Sequence, residues 1–388
     1  MKVSACAVCG GPSTSVIALP QLPLTGLYLR PGHSAPATTA ADQELLLCDG
    51  CGHAQLGRAL PPEILYAGDY TFRTAASHCA QSGTAFFTDF LERVAPGRRF
   101  RHAVDIGCND LHLLRQIGGR VGARTGIDPV WADAPPPVEP GVVVLGATVE
   151  AVDLTALEGG PVDLVLCRHT LEHVPDPRAV IRQALDAVAA DGLLVFEVPG
   201  FDRLLGRLRF DQIFHHHLQY FSRASLFRLL AECGGEYVAS VEHPQHWGAI
   251  LIAFRRASGE SPAAPSAPVV TRAGVLARYA QFRRLAEATG ELLTAATLPV
   301  AGYGAAQLLP NLAYHLGGLG AMEVVLDDDE SKDGWRYANL PLTVRHPSNV
   351  PGWRDGTVVI TALDNATPIL RRLLGDQPRD TLLPLSYI

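Results

Sequence analysis

The chain has 388 residues, 47% hydrophobic and 18% charged, with a formal net charge of -7. That length exceeds one ordinary core and points to two or three domains, and the composition excludes a disordered chain. The acidic balance argues against nucleic acid as the main partner, because phosphate binding needs a basic face. No run approaches the roughly 18 apolar residues that would span a bilayer. The first residues carry cysteines and polar groups in place of the apolar core of a secretory signal. A cytoplasmic protein with no membrane partner is therefore expected.

Residues 1 to about 60 are rich in turn residues and show little regular periodicity. A helical stretch follows over Ser77–Val94, and then the pattern alternates. Arg101–Ile106 reads as a buried strand running into a glycine turn, and Val121–Ile127, Gly141–Leu145 and Val162–Cys167 read as further strands. Ala179–Ala190 is an amphipathic helix closed by Asp191-Gly192, and Gly192–Val198 is a fifth strand. Strands separated by helices imply an α/β domain with a parallel, doubly wound sheet. Ser258–Pro268, rich in Ser, Ala and Pro, reads as a linker, followed by a long helix over Arg272–Ala295. Leu298–Gly304, Val324–Asp328 and Thr357–Thr361 then build a second α/β unit. The domain boundaries expected are 1–70, 71–257 and 258–388.

Four of the eight cysteines form two Cys-x-x-Cys pairs, Cys6/Cys9 and Cys48/Cys51. Two intervening residues let both thiolates of a pair face one ion from a tight turn, so two pairs complete a tetrahedral zinc site. Such a site has no open coordination position, and its role is structural. In a long chain without an export signal, paired cysteines point to metal before disulfide.

The strand ending at Asp105 meets Gly107, then Asn109-Asp110, then the helical run Leu111–Ile117. A glycine here lets backbone approach a ligand, and the helix start offers free N–H groups. A dinucleotide calls for Gly-x-Gly-x-x-Gly, which is absent; the single glycine suits S-adenosylmethionine, whose amino-acid end fits this turn. Asp128, at the end of the next strand, is placed to hold the ribose hydroxyls. His169, Thr170 and His173 follow the fourth strand, where a loop covers the ligand. A nicotinamide cofactor and a degenerate site remain alternatives to this reading.

On the two cysteine pairs, Asp105–Leu114, His169–Val174, Phe214–Ser222 and Ala301–Ala305, the chain resembles the sugar C-methyltransferases of deoxysugar and O-antigen pathways. The resemblance covers nearly the whole chain. It implies a class I methyltransferase core between a small zinc-binding domain and a second, Rossmann-like domain, with Leu114 among the cofactor contacts. It also implies a small-molecule substrate, a nucleotide-linked 4-keto sugar. A base would remove its C3 proton, and the enolate would take the methyl group. His217 matches the family's base histidine, with His216, His215 and Tyr70 as further catalytic candidates. The chain departs from the family at four positions. His216 stands where a glutamate is usual, Phe214 and Phe72 where tyrosines are, and Leu111 where a glycine is. Phe72, Phe214, Tyr220, Trp247 and Tyr303 are the candidates for lining the substrate cleft. In the last domain Gln307 occupies the third glycine position of a dinucleotide fingerprint, so this unit is expected to close the cleft, not to bind a cofactor. Methylation of oxygen or nitrogen, and a silent binding protein on the same fold, stay open, as does a monomer or small homo-oligomer. Consecutive side chains diverge, so His215, His216 and His217 are not expected to converge on one ion.

Overall fold

The computed structural model describes residues 5–65, 74–244, 248–258 and 266–385. Tyr70, Phe72 and Trp247, and residues 259–265 of the expected linker, lie outside the described residues. Among the described residues no helix is long and apolar enough to cross a membrane.

The first sixty residues carry more regular structure than their sequence suggests. Strands β1 (Thr14–Pro23), β2 (Tyr28–Leu29), β3 (Ala40–Leu47) and β4 (Ala54–Leu56) precede a short helix, α1 (Pro62–Leu65). β1 and β3 pair antiparallel, with register breaks between Ser15 and Ile17 and between Leu19 and Leu22. Those bulges shift the inward face along the strand, which erases the period-2 alternation that marks a strand in sequence. β1 is also an edge strand, where Pro20 and Pro23 are tolerated.

The central domain begins with α2 (His78–Val94), β5 (Phe100–Ile106), α3 (His112–Gln116), β6 (Val121–Ile127) and β7 (Val142–Leu145). It continues with β8 (Leu164–Arg168), α4 (Pro177–Ala187), β9 (Leu193–Val198) and α5 (Phe201–Gly206). It ends with β10 (Gln219–Tyr220), α6 (Arg223–Glu232), β11 (Gly235–Glu242) and β12 (Ile250–Arg256). Pro177 at the first turn and the Asp176 side chain, which accepts from Ala179 N at 3.0 Å, start α4 two residues earlier than its apolar periodicity does. The sheet order is β11-β12-β9-β8-β5-β6-β7. β5 to β9 are parallel, but β12 enters antiparallel between β9 and β11, so the sheet is mixed where a parallel one was expected. α2 and α3 pack Phe87, Leu91, Leu113 and Leu114 on one face, and α4 and α6 pack Ile181, Leu185, Leu226 and Leu230 on the other. The carboxyl ends of β5, β6 and β8 therefore open together at one rim.

The last part holds α7 (Arg272–Thr294), β13 (Val300–Tyr303), α8 (Leu309–Leu316), β14 (Val324–Leu326), β15 (Arg336–Tyr337), β16 (Thr343–Arg345), β17 (Thr357–Ile360), α9 (Ala366–Asp376) and β18 (Asp380–Leu382). Its sheet order is β18-β17-β13-β14-β16-β15-β2, so β2 crosses from the N-terminal segment to finish it. In return β10 of the central domain pairs with β4 and finishes the N-terminal sheet. One apolar core joins Ile17, Leu45 and Leu47 of that sheet to Phe282 of α7 and Leu312 of α8.

Close approach of α7 and α8 depends on Gly290: a Cβ there would meet Leu316 O at 2.2 Å. Gly290→Ala is expected to destabilise the protein by about 1–3 kcal/mol through overpacking. Chemical denaturation checks this, and an unchanged midpoint would show that the two helices separate at little cost.

Candidate functional site

At the N-terminal end, Cys6 Sγ lies 3.5 Å from Cys51 Sγ, and Cys9 Sγ lies 3.5 Å from Cys48 Sγ. All four sulfurs fall within 4.8 Å of one another. Zinc–sulfur bonds of about 2.3 Å place tetrahedral sulfurs roughly 3.8 Å apart, so the residues fit a Zn²⁺ ion. Cys6, Cys48 and Cys51 are buried in the same apolar cluster as α4 and α6, so the ion would staple the N-terminal loops to the central domain.

At the rim of the central sheet, Gly107 has φ +81°, and a Cβ on it would stand 1.8 Å from Thr170 Oγ1. The turn and the 169–173 loop are thus in van der Waals contact only because position 107 has no side chain. Asn109 (φ 45°), Leu111 (φ 65°) and His169 (φ 50°) are left-handed without being glycine, which costs on the order of 1 kcal/mol or more each. Leu111 occupies the position where a glycine was expected. Its side chain is fully buried against α3 and the sheet, and that packing offsets the strain.

Asp105 is 2% exposed, and its Oδ1 has no hydrogen-bond partner among the described residues. Burial pushes its carboxyl up to about 7; Asp128 adds to the rise and Arg168 opposes it. An orphaned carboxylate beneath a glycine cradle fits the ammonium group of an S-adenosylmethionine. Asp128 accepts from Asn109 N at 2.8 Å and Val130 N at 3.0 Å, which fixes its carboxylate at the end of β6, where ribose hydroxyls were expected. The Asn109 and Asp110 side chains turn elsewhere: they accept from Thr74 N (3.1 Å) and Ala75 N (2.7 Å) and fix the approach to α2. Leu114, expected at the cofactor, is instead fully buried between α3 and the sheet and takes part only as packing.

Arg168 and Glu197 face each other on adjacent strands and form a buried ion pair, and Arg168 also donates to Thr84 Oγ1 at 2.8 Å. His169 places Nε2 3.5 Å from Glu197 and Nδ1 3.4 Å from Glu172. Burial disfavours its charge, but the two carboxylates outweigh that and raise its pKa to about 9. His169, expected to touch the cofactor, lies between two buried acids, Glu172 and Glu197. Glu172 is fully buried and was not singled out in the sequence, where it reads as one more acidic loop residue.

The three consecutive histidines diverge. His215 Nε2 meets Leu22 O at 3.0 Å and its Nδ1 meets Gln43 Nε2 at 3.4 Å; His216 Nε2 meets Leu65 O at 3.1 Å and its Nδ1 meets Thr25 Oγ1 at 3.4 Å. Both rings are engaged with the N-terminal segment, so they anchor it where catalytic roles were expected. Burial pushes His216 down to about 4, with His173 adding to the effect. Of the three, His217 lines a small cavity of about 10 Å³, with Phe214, Tyr220, Gln212, Gly200 and, from the C-terminal layer, Leu308. Burial and the neighbouring His173, His169 and His216 hold its pKa well below the ordinary 6.5, so it is a neutral imidazole. The Phe214 ring stands 4.2 Å from it and His173 4.8 Å.

Tyr303 is not brought to this cleft: its hydroxyl donates to Asp328 at 2.7 Å and its ring packs on Trp353 within the C-terminal layer. The glycine turn of that layer is filled by protein, with Tyr28 donating to Ala305 O and Ala305 N to Asp327. Asn311 ties α8 to the cleft segment through Ile213 O at 2.8 Å.

Residues 82–240 match the family described as Methyltransferase domain, and residues 6–66 match a zinc binding domain family. The central unit is a class I S-adenosylmethionine-dependent methyltransferase domain, preceded by a zinc-binding module and followed by a Rossmann-like region. The chain is 29% identical over 271 residues to the C-methyltransferase NovU of Streptomyces niveus, covering 68% of this chain and 63% of that protein. It is 35% identical over 115 residues to a ubiquinone biosynthesis O-methyltransferase of Ralstonia nicotianae, covering 28% and 47%. The chain thus spans less than two thirds of the length of these curated relatives. Among solved structures, the N-methyltransferase NodS of Bradyrhizobium japonicum with S-adenosyl-L-homocysteine aligns at a TM-score of 0.36 and 15% identity, over 49% of this chain and 93% of that one.

Cys48→Ser is expected to lower the zinc content from one equivalent to near zero and to reduce the thermal midpoint, because the ligand set then has three thiolates. Metal analysis with a thermal melt checks it; folded wild-type protein without zinc would sink the assignment.

Proposed function

We propose that the protein transfers the methyl group of S-adenosylmethionine to a carbon beside the ketone of a nucleotide-linked keto-deoxysugar, with His217 as the base. The observation that carries this reading is a neutral, buried imidazole on the cleft side of the same loop that contacts the glycine turn. The 169–173 loop touches Gly107 through Thr170 and His217 through Glu172 and His173. On this reading the proton acceptor and the methyl donor would lie on either side of one short segment.

The bound donor supplies an electrophilic methyl group. His217 takes the proton from the carbon beside the ketone, and Glu172, 3.9 Å from Nε2, stabilises the imidazolium that forms. The carbanion carbon then forms the bond to the methyl group as the carbon–sulfur bond breaks, and S-adenosylhomocysteine leaves. Two family hydroxyls are replaced by Phe72 and Phe214, so the developing oxyanion needs another donor. Tyr220 is the candidate: its oxygen accepts from Phe214 N at 3.0 Å, while its proton reaches Gln212 O and Phe214 O only at 3.5 Å and can turn to a stronger acceptor. Oxygen methylation is the second reading, favoured by the 115-residue likeness to ubiquinone O-methyltransferases; the same base would then deprotonate a hydroxyl.

His217→Asn is expected to lower both methyl transfer and exchange of the proton beside the ketone by about 10²–10⁴-fold. Incubation of a nucleotide-linked 4-keto sugar in deuterated water measures the exchange, and undiminished wash-out in the variant would remove His217 from the base role. A second expectation concerns the donor. With Asp105 near 7, a cationic donor selects the ionised carboxylate, so binding takes the proton off as pH falls below 7. Affinity should weaken by about tenfold from pH 8 to pH 6. Titration calorimetry checks this, and the trend should vanish in Asp105→Asn; a flat profile in the wild type would place the ammonium elsewhere.

A further inference from the structure

Three side chains at the cleft end of the 169–173 loop are arranged as more than a base and its neighbours. The ligating atoms of Glu172, His173 and His217 all lie within 4.8 Å of one another. Glu172 is fully buried, and neither of its carboxylate oxygens accepts a hydrogen bond from the described residues. Ring nitrogens of His169 (Nδ1, 3.4 Å) and His217 (Nε2, 3.9 Å) face Glu172 Oε1, so the carboxylate sits among groups that favour a positive charge beside it. His173 is already oriented as metal-bound imidazoles are. Its Nδ1 meets His216 O at 2.8 Å, and a carbonyl only accepts, so the proton sits on Nδ1 and the Nε2 lone pair is left for a ligand. His217 closes the set from the wall of the small cavity it lines with Phe214 and Tyr220.

From these observations we infer that Glu172, His173 and His217 form a second cation site, distinct from the four-cysteine site. Two imidazole nitrogens and one carboxylate oxygen select a borderline divalent ion such as Zn²⁺, Co²⁺ or Ni²⁺ over Mg²⁺ or Ca²⁺. Bonds of about 2.0–2.2 Å set donors around one ion roughly 3–4 Å apart, so the three groups, now within 4.8 Å, need to close by about 1–2 Å. One consequence rests on the function proposed above: an ion on His217 would oppose the positive charge that proton abstraction puts on the same ring, so occupancy and proton abstraction by His217 compete. The cation would act as an inhibitor of the methyl transfer, bound by the catalytic residue itself.

The test uses the full chain with its cysteine site loaded with zinc, titrated with Co²⁺ alone, and needs no substrate. One further equivalent is expected, with visible ligand-field bands and no thiolate-to-cobalt charge transfer. Paramagnetically shifted imidazole N–H signals from two histidines are expected in the wild-type spectrum. Glu172→Gln and His173→Gln should each weaken that equivalent by about tenfold or more, with folding judged by circular dichroism and retained zinc. No second equivalent, thiolate charge transfer, absent imidazole signals, or equal affinity in the folded variants would each overturn the site. Should the variants not fold, the wild-type imidazole signals decide alone. A failed base assignment would show separately, as proton exchange that persists in His217→Asn.

Discussion

The buried ion pair between Arg168 and Glu197 is the interaction on which the cleft depends. The two residues are register partners on neighbouring parallel strands, and both are nearly removed from water. Two such charges are tolerated inside only when paired and hydrogen-bonded, and Thr84 on α2 and His169 complete that requirement. The pairing has a directional result. It draws His169 into a left-handed turn, with its backbone N–H on Glu197 O at 2.9 Å and its ring bridging to Glu172. From that turn Thr170 is sent down onto Gly107, while Glu172 and His173 are sent toward His217. One charge pair thus sets the spacing between the donor turn and the candidate base.

The second constraint is the exchange of strands among the three parts of the chain. Each outer sheet ends on a strand from another part: β10 completes the N-terminal sheet and β2 completes the C-terminal one. His215 and His216, one turn ahead of β10, extend the same junction through Leu22, Gln43, Thr25 and Leu65. His217 is therefore held from both flanks by backbone that cannot move without breaking sheet hydrogen bonds. That rigidity suits a proton acceptor, whose efficiency depends on holding the reacting atoms in line. The Arg209–Asp364 and Gln212–Asp364 contacts bind the C-terminal layer to the cleft wall in the same way.

Much of the architecture could be read from sequence because it rests on local pattern. Apolar runs bounded by glycine marked five central strands to within two or three residues, and the glycine after Asp105 marked the turn. The zinc site was legible because its ligands come in fixed two-residue spacing. β1 and β3 were not, since bulges broke their alternation. Glu172 could not be recognised from its neighbours: a glutamate beside a histidine in a loop is ordinary until burial removes its water.

What the sequence determined by itself was the set of local decisions: the elements, the cysteine ligand pairs, the glycine that admits the donor, and the divergence of three adjacent histidines. Only the tertiary structure decided which histidine faces the small cavity, that His169 lies between two acids, and that Glu172, His173 and His217 meet. The reason is physical. Spacing along a chain fixes geometry within a turn or a strand, whereas desolvation and pairing depend on groups brought together from distant segments, and those two effects set the chemistry of every side chain in this cleft.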